Sequence, residues 1–258
     1  RHNHFHAGLD IKTEGKIGIP VLAIANGYVS RIGVSEGGYG HVLYLTHLDG
    51  KTSVYAHLQR FEEYLENYTL NLQYQKETYP IQLFPQKNKF YFNQGDTIGY
   101  SGNSGSSSGP HLHFEMRNAK QEFLNPFDEF SFSEIQDNIA PRIKYLAFKC
   151  LDLDARVNGA YGPLLVQPTK KNNLFSIQKS IHLSGNIGIE IYHYDNMSGA
   201  PNRNGIPEII LKVNQDTLFH QLKKSMSFAK QRDILAHIDY PYALDKHITL
   251  NKLYKADG

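Results

Sequence analysis

The sequence predicts a mainly β protein, an antiparallel sheet unit followed by a β-sandwich-like domain. Three features carry that expectation: short apolar runs rich in β-branched and aromatic residues, glycines at turn spacing, and an Asp-Gly pair between two such runs. Ile19 to Asn26 is an apolar run, and Tyr28 to Val34 follows Gly27. His41 to Thr46 and Lys51 to His57 flank Asp49-Gly50, the strongest local signal for a hairpin. Phe61, Tyr64, Leu65 and Tyr68 then recur at i, i+3, i+4 and i+7, which predicts a short amphipathic helix over Gln59 to Tyr68. The Tyr-, Gln- and Lys-rich stretch that follows has no clear period, so residues 59–93 read as a helical insertion between strands. Strand and turn signals resume at Asn93-Gln94-Gly95-Asp96.

Composition shifts near Phe130, and residues 131–142 resemble a linker that Pro141 closes. Beyond it, Ile143 to Leu151, Ser180 to Tyr194, Pro207 to Val213 and Leu218 to Leu222 read as strands. The expected organisation is therefore residues 1–130, a linker at 131–142, and a sandwich over 143–258 that is expected to be truncated at its end.

Bulk properties exclude several classes. With 27 Lys+Arg against 25 Asp+Glu, the net charge of +2 gives no nucleic-acid footprint and no polybasic membrane patch. No apolar run approaches the ~18 residues a transmembrane helix needs. A single cysteine, Cys150, excludes an intramolecular disulfide framework. Tyr and Phe are plentiful at 17 and 14, which suits strands and the walls of a groove.

Three short constellations carry chemistry: His6-Ala7-Gly8-Leu9-Asp10, Tyr55-Ala56-His57-Leu58, and Gly109-Pro110-His111-Leu112-His113-Phe114-Glu115. On a strand, i and i+2 side chains share a face, so His111 and His113 point into one space while Leu112 turns away. His6 and Asp10 share parity too, with Gly8 between them to let the backbone bend. Two imidazoles and one carboxylate make a three-ligand zinc set that leaves the fourth position to water, whose pKa falls from ~15.7 to about 7 on the metal. Two histidines are left over, His57 and His111, as candidates to take the water proton and to stabilise the oxyanion. The chain has no His-Glu-x-x-His helix, so the Glu-base protease layout is absent.

These three motifs, in this order, resemble those of the lysostaphin-like (LytM-type) zinc metallopeptidases, peptidoglycan endopeptidases of bacterial envelopes. The resemblance covers roughly residues 1–127, and the Gly-Pro-His-Leu-His-Phe-Glu string is its most specific part. It implies that His6, Asp10 and His113 bind Zn2+, that His57 and His111 are the catalytic histidines, and that the fold is a small antiparallel β structure with a groove over the metal. Two features depart from the simplest members: the long insertion at 59–93, and the short segment, Arg1 to Phe5, before the first motif. Together with the second β domain, both are similar to multi-domain envelope members from Bacteroidetes-type bacteria.

The expectation is thus an exported zinc endopeptidase that acts on peptidoglycan stem peptides, in the periplasm or at the outer membrane. An envelope protein partner is expected through residues 143–258. The alternative is a non-catalytic envelope scaffold or activator of a cell-wall amidase, whose relatives typically lack a zinc ligand that this sequence keeps. The remaining histidines have plainer readings. His182, His193, His220, His237 and His247 read as surface or hydrogen-bonded residues, and His41 and His47 as structural ones beside the sheet. His2 and His4 share parity with His6, but Asp10 falls four residues after His6 alone. The Ser101 to Gly109 run lacks a Gly-Lys-Ser/Thr ending, so it reads as a groove-shaping loop and not as a phosphate loop.

Overall fold

The computed structural model describes residues 5–130, 137–200 and 202–255. Among these, the chain divides into two compact units. One starts at His6, runs through residue 130 and takes in Ser225–Phe228; the other takes in Phe5, residues 137–224 and those from 229 onward. Residues 131–136, where the expected linker begins, lie outside the described residues, as do His2 and His4.

The first unit is built on an antiparallel sheet. Its strands are β1 (Leu9–Lys12), β2 (Pro20–Leu22), β3 (Gly27–Val34), β4 (His41–His47) and β5 (Thr52–Phe61). After the helix α1 (Glu63–Gln75) come β6 (Ile81–Leu83), β7 (Tyr91–Phe92), β8 (Thr97–Ser101), β9 (His111–Arg117) and β10 (Phe123–Leu124), then a one-turn helix α2 (Pro126–Glu129). The hairpin expected at Asp49-Gly50 joins β4 to β5, with Gly50 at φ 81°, a left-handed conformation that glycine takes without steric cost.

β5 organises the sheet. One edge pairs with β4 from Thr52 to Leu58, and the other edge changes partner along its length. Thr52 to Ala56 pair with β9, whereas Leu58 to Phe61 pair with β8. His57 sits at the point of exchange, with φ 60°. β9 in turn carries β1 and β10 along its far edge, so that Asp10 lies directly opposite His113. The apolar face packs Val29, Ile32, Leu43, Leu45, Tyr55, Leu58, Phe61, Phe114 and Met116 into one core. Burying each such side chain contributes ~1.5–3 kcal/mol, ample to hold this face of the sheet.

The helix is present but displaced from its expected span. β5 continues through Phe61, and Glu62 caps the helix by accepting a hydrogen bond from the Tyr64 amide. Its buried residues, Leu65 and Thr69, face the sheet. The stretch after α1 is also more ordered than an irregular insertion, because β6 and β7 both hydrogen-bond to β3.

The second unit is also mainly β. Its strands are β11 (Arg142–Cys150), β12 (Arg156–Val157), β13 (Leu164–Val166), β14 (Thr169–Lys171), β15 (Leu174–Ser176), β16 (Leu183–Ser184), β17 (Ile187–Asn196), β18 (Arg203–Asn204), β19 (Glu208–Val213) and β20 (Asp216–Leu222). Helices α3 (Ile234–His237) and α4 (Tyr240–Lys246) follow. β11 and β17 pair along most of their length, flanked by β13, β18 and Asn251–Lys252, and β19–β20 form a separate hairpin. Cys150 is buried there with Ala155 and Val157, as expected of a strand residue. No helix among the described residues is long and apolar enough to cross a membrane.

Candidate metal centre

β9 reads His-Leu-His-Phe-Glu-Met-Arg, with apolar side chains at every second position. Phe114 and Met116 enter the core on one face, and alternation places His111, His113, Glu115 and Arg117 on the other. β1 brings Asp10 against His113, and the turn before it returns His6 to the same point. Gly8 lets this happen, although through close approach more than through bending. A Cβ there would stand 2.6 Å from the Phe114 carbonyl oxygen and 2.9 Å from the His113 ring.

Asp10 Oδ1 lies 3.1 Å from His6 Nε2 and 2.9 Å from His113 Nδ1. One ligand atom from each of the three residues falls within 4.8 Å of the others, and this is the one such group of His, Cys, Asp or Glu among the described residues. The His6 and Asp10 side chains keep 35% and 31% of their surface, whereas His113 keeps 8%. The site is therefore built into the sheet on one side and open on the other. Burial pushes the Asp10 carboxyl up, but hydrogen bonds from His113 and His6 outweigh it and hold the group well below the usual carboxylate range. Burial lowers His113, and its bonds to Asp10 and Glu115 raise it further, to about 9.

The other two histidines stand beside this trio. The His57 ring centroid is 4.8 Å from that of His111 and 5.8 Å from that of His113. Each is pinned by a backbone carbonyl: His57 Nδ1 lies 2.8 Å from the Ser104 oxygen, and His111 Nδ1 lies 2.8 Å from the Gly109 oxygen. A carbonyl only accepts, so in the neutral rings Nδ1 carries the hydrogen and Nε2 keeps its lone pair. His111 Nε2 is buried without a hydrogen-bond partner among the described residues, 3.5 Å from Asp10 Oδ1. Burial lowers His57 to about 4, so its ring is neutral at physiological pH.

The Ser101 to Gly109 run acts as a clamp on His57. Ser104 Oγ accepts from the His41 amide and donates to the Leu58 carbonyl, and Ser106 Oγ accepts from the Gly38 amide. Gly105, at φ 70°, lies so close to the neighbouring loop that a Cβ would stand 2.3 Å from the Gly40 nitrogen. The left-handed φ of His57 is therefore imposed from both sides, since its own amide also donates to the Tyr39 carbonyl.

The plainer readings fit their surroundings. His47 bridges the Asn26 carbonyl and Ser53 Oγ, and His41 bonds the Leu58 carbonyl. Tyr64 stacks on Phe92 and Tyr68 meets Phe90 edge-on, which ties the inserted segment to the main core. Glu115, Arg117 and Tyr39 have no assigned part in the sequence reading, yet all three are joined to the site. The signal that could have found them is strand parity: Glu115 and Arg117 continue the face begun by His111 and His113.

The pattern of peptidase family M23 matches residues 4–68 and 86–126, leaving out the end of α1 and β6. The chain is 31% identical over 112 residues to the DD-carboxypeptidase/endopeptidase Mpg of Neisseria meningitidis serogroup B, an alignment covering 43% of this chain and 20% of that protein. An uncharacterised metalloprotease of Haemophilus influenzae is 31% identical over 111 residues, which cover 43% of this chain and 18% of that one. The chain thus spans about a fifth of the length of these relatives. Lipoprotein NlpD of Yersinia enterocolitica is 32% identical over 112 residues, or 43% of this chain and 90% of NlpD. Among solved structures, the catalytic domain of the antimicrobial peptidase lysostaphin from Staphylococcus simulans is 26% identical over 48% of this chain and 78% of that one, with a TM-score of 0.34. The family pattern runs through the strands that hold the histidines, and the alignment with NlpD covers nine-tenths of that protein. On these grounds the chain belongs to peptidase family M23.

Proposed function

We propose that the protein is a zinc-dependent endopeptidase that hydrolyses peptide cross-links of peptidoglycan in the bacterial cell envelope. One observation carries this reading: His6 Nε2, Asp10 Oδ1 and His113 Nδ1 converge on one point beside two further histidines. The donor set fits zinc, since imidazole nitrogens and a carboxylate oxygen are its ordinary ligands at catalytic sites. Zinc held by these three residues would polarise the scissile carbonyl and acidify a water. His57 Nε2, held unprotonated by burial, accepts a proton from the attacking water. Its Nδ1–H stays on the Ser104 carbonyl, which keeps the ring oriented as Nε2 gains that proton and later releases it to the leaving amine. His111, pinned in the same sense by Gly109, presents its own Nε2 to the developing oxyanion when protonated.

The name NlpD marks one relative as a lipoprotein, and Mpg is named for carboxypeptidase and endopeptidase activity; both agree with an envelope peptidase. Digestion of purified sacculi with mass analysis of the released muropeptides tests the proposal. The wild-type chain should release cross-link fragments, and chelation should stop it. A chain that releases no fragments even with zinc supplied would favour the amidase-activator reading instead.

A further inference from the structure

Glu115 is 1% exposed, and its carboxylate is fully engaged. Oε1 accepts from the Tyr39 hydroxyl at 2.6 Å and faces His113 Nε2 at 2.9 Å. Oε2 accepts from Arg117 Nε at 2.9 Å and from Nη2 at 2.7 Å, a two-pronged grip. Arg117 Nη2 also reaches the Tyr39 hydroxyl at 3.3 Å, and the Arg117 guanidinium lies 4.8 Å from the Phe123 ring centre and 5.3 Å from that of Tyr44. A buried ion pair of this kind is weak evidence for stability, because apolar residues of the same volume often serve as well. Its shape points to another use.

We infer that Glu115, fixed by Arg117 and Tyr39, is a positioning residue that sets which nitrogen of His113 faces the metal. Arg117 and Tyr39 donate to the carboxylate, which leaves it only an acceptor's role toward His113. A ring whose Nε2 faces such an acceptor keeps its hydrogen there, so the proton that a bound cation would displace is the one on Nδ1, toward Asp10 and His6. Carboxylate–histidine–metal chains orient ligands in this way and strengthen the donor. Glu115 lies beyond the far nitrogen of the ring and is saturated by its partners, so it serves neither as a ligand nor as a proton acceptor for substrate. Tyr39 extends the arrangement, because its carbonyl receives the His57 amide. The segment that locks the ligand histidine therefore also holds the second one.

This inference rests on the proposed ligand set, and the test separates the two. In Glu115→Gln, the amide oxygen is drawn to Arg117 and the NH2 group turns to His113, which moves the ring hydrogen to Nδ1. Zinc affinity of the full chain, measured by chelator competition, should fall about 10–100-fold. The visible spectrum of the cobalt(II)-substituted protein should change, while circular dichroism in chelator stays that of the wild type. Arg117→Lys, which keeps the charge but loses the two-pronged grip, should weaken zinc in the same direction, and it decides the matter if Glu115→Gln does not fold. As a control for simple loss of stability, Leu45→Ala in the core should leave zinc affinity unchanged. If folded Glu115→Gln, or Arg117→Lys in its place, matches the wild type in zinc affinity and cobalt spectrum while Asp10→Ala loses metal, this inference is wrong and the ligand set stands. If Asp10→Ala also keeps zinc, the ligand set fails and the inference goes with it.

Discussion

Each unit of the chain holds a cluster of histidines drawn at least partly out of solvent, and the two are opposites. In the first unit, His113 lies between two carboxylates, Asp10 at 2.9 Å and Glu115 at 2.9 Å. In the second, His193 meets Asn251, and His237 meets Gln221 at 3.2 Å and Lys223 Nζ at 3.4 Å. No carboxylate hydrogen-bonds either ring among the described residues. The electrostatics follow from the partners. His113 is raised to about 9, whereas burial lowers His193 and His237 to about 4, with Lys223 adding to the effect in both. Burial likewise pushes the Lys223 ammonium down. The acids beside the first cluster attract a cation, whereas the lysine in the midst of the second repels one.

The largest contrast should come from removing one histidine in each cluster. His113→Ala should abolish zinc binding and reduce release of muropeptides to the chelated background, while His237→Gln should leave both as in the wild type. Equal loss of activity in the two variants would break the comparison. Within the first cluster, His57→Ala should keep zinc but lose turnover by about 10²–10⁴-fold, the usual worth of a positioned general base. Loss of metal in that variant would mean that His57 is a ligand.

A smaller effect is expected from Gly105→Ala. The new methyl would press on the Gly40 backbone at a left-handed φ, at a cost of about 1–3 kcal/mol. Thermal unfolding should occur earlier and turnover should fall through the displaced His57, with zinc affinity unchanged.

The smallest effect is in pH dependence, and its sign differs between the clusters. His193 and His237, near 4 when folded and ~6.5 when unfolded, take up protons on unfolding. Their share of the stability is present above pH ~6.5 and is lost as pH falls toward 4. In the metal-free chain His113 behaves in the reverse sense, with its share complete below ~6.5 and lost as pH rises through 9. His237→Gln should therefore flatten the fall in unfolding midpoint between pH 6.5 and 4. An unchanged slope would show that the ring is not buried neutral.

What the sequence disclosed and what it hid follow from the range of each interaction. The pairing of His111 with His113, and their separation from Leu112, needs only the period of a strand, so it is legible locally. The hairpin at Asp49-Gly50 is legible for the same reason. The helix starts later than its apolar period suggests, because that period begins at Phe61, which still belongs to β5, and Glu62 supplies the cap. β6 and β7 leave no local signal, because their order comes from pairing with β3 and no periodicity records that register. The clamp of Gly105 against Gly40 and the bond from Tyr39 to Glu115 join residues more than sixty positions apart. Only the folded chain reveals such contacts. Glu115 itself lay in plain view, two residues beyond His113 on the same face.

Zinc content of the purified full chain after dialysis against chelator-treated buffer goes straight to the centre of this account. The wild type and a His193→Asn/His237→Gln double variant should retain stoichiometric zinc, and Asp10→Ala should retain none. Zinc that survives in Asp10→Ala, or that disappears with the second cluster, would contradict the assignment of the cation to His6, Asp10 and His113.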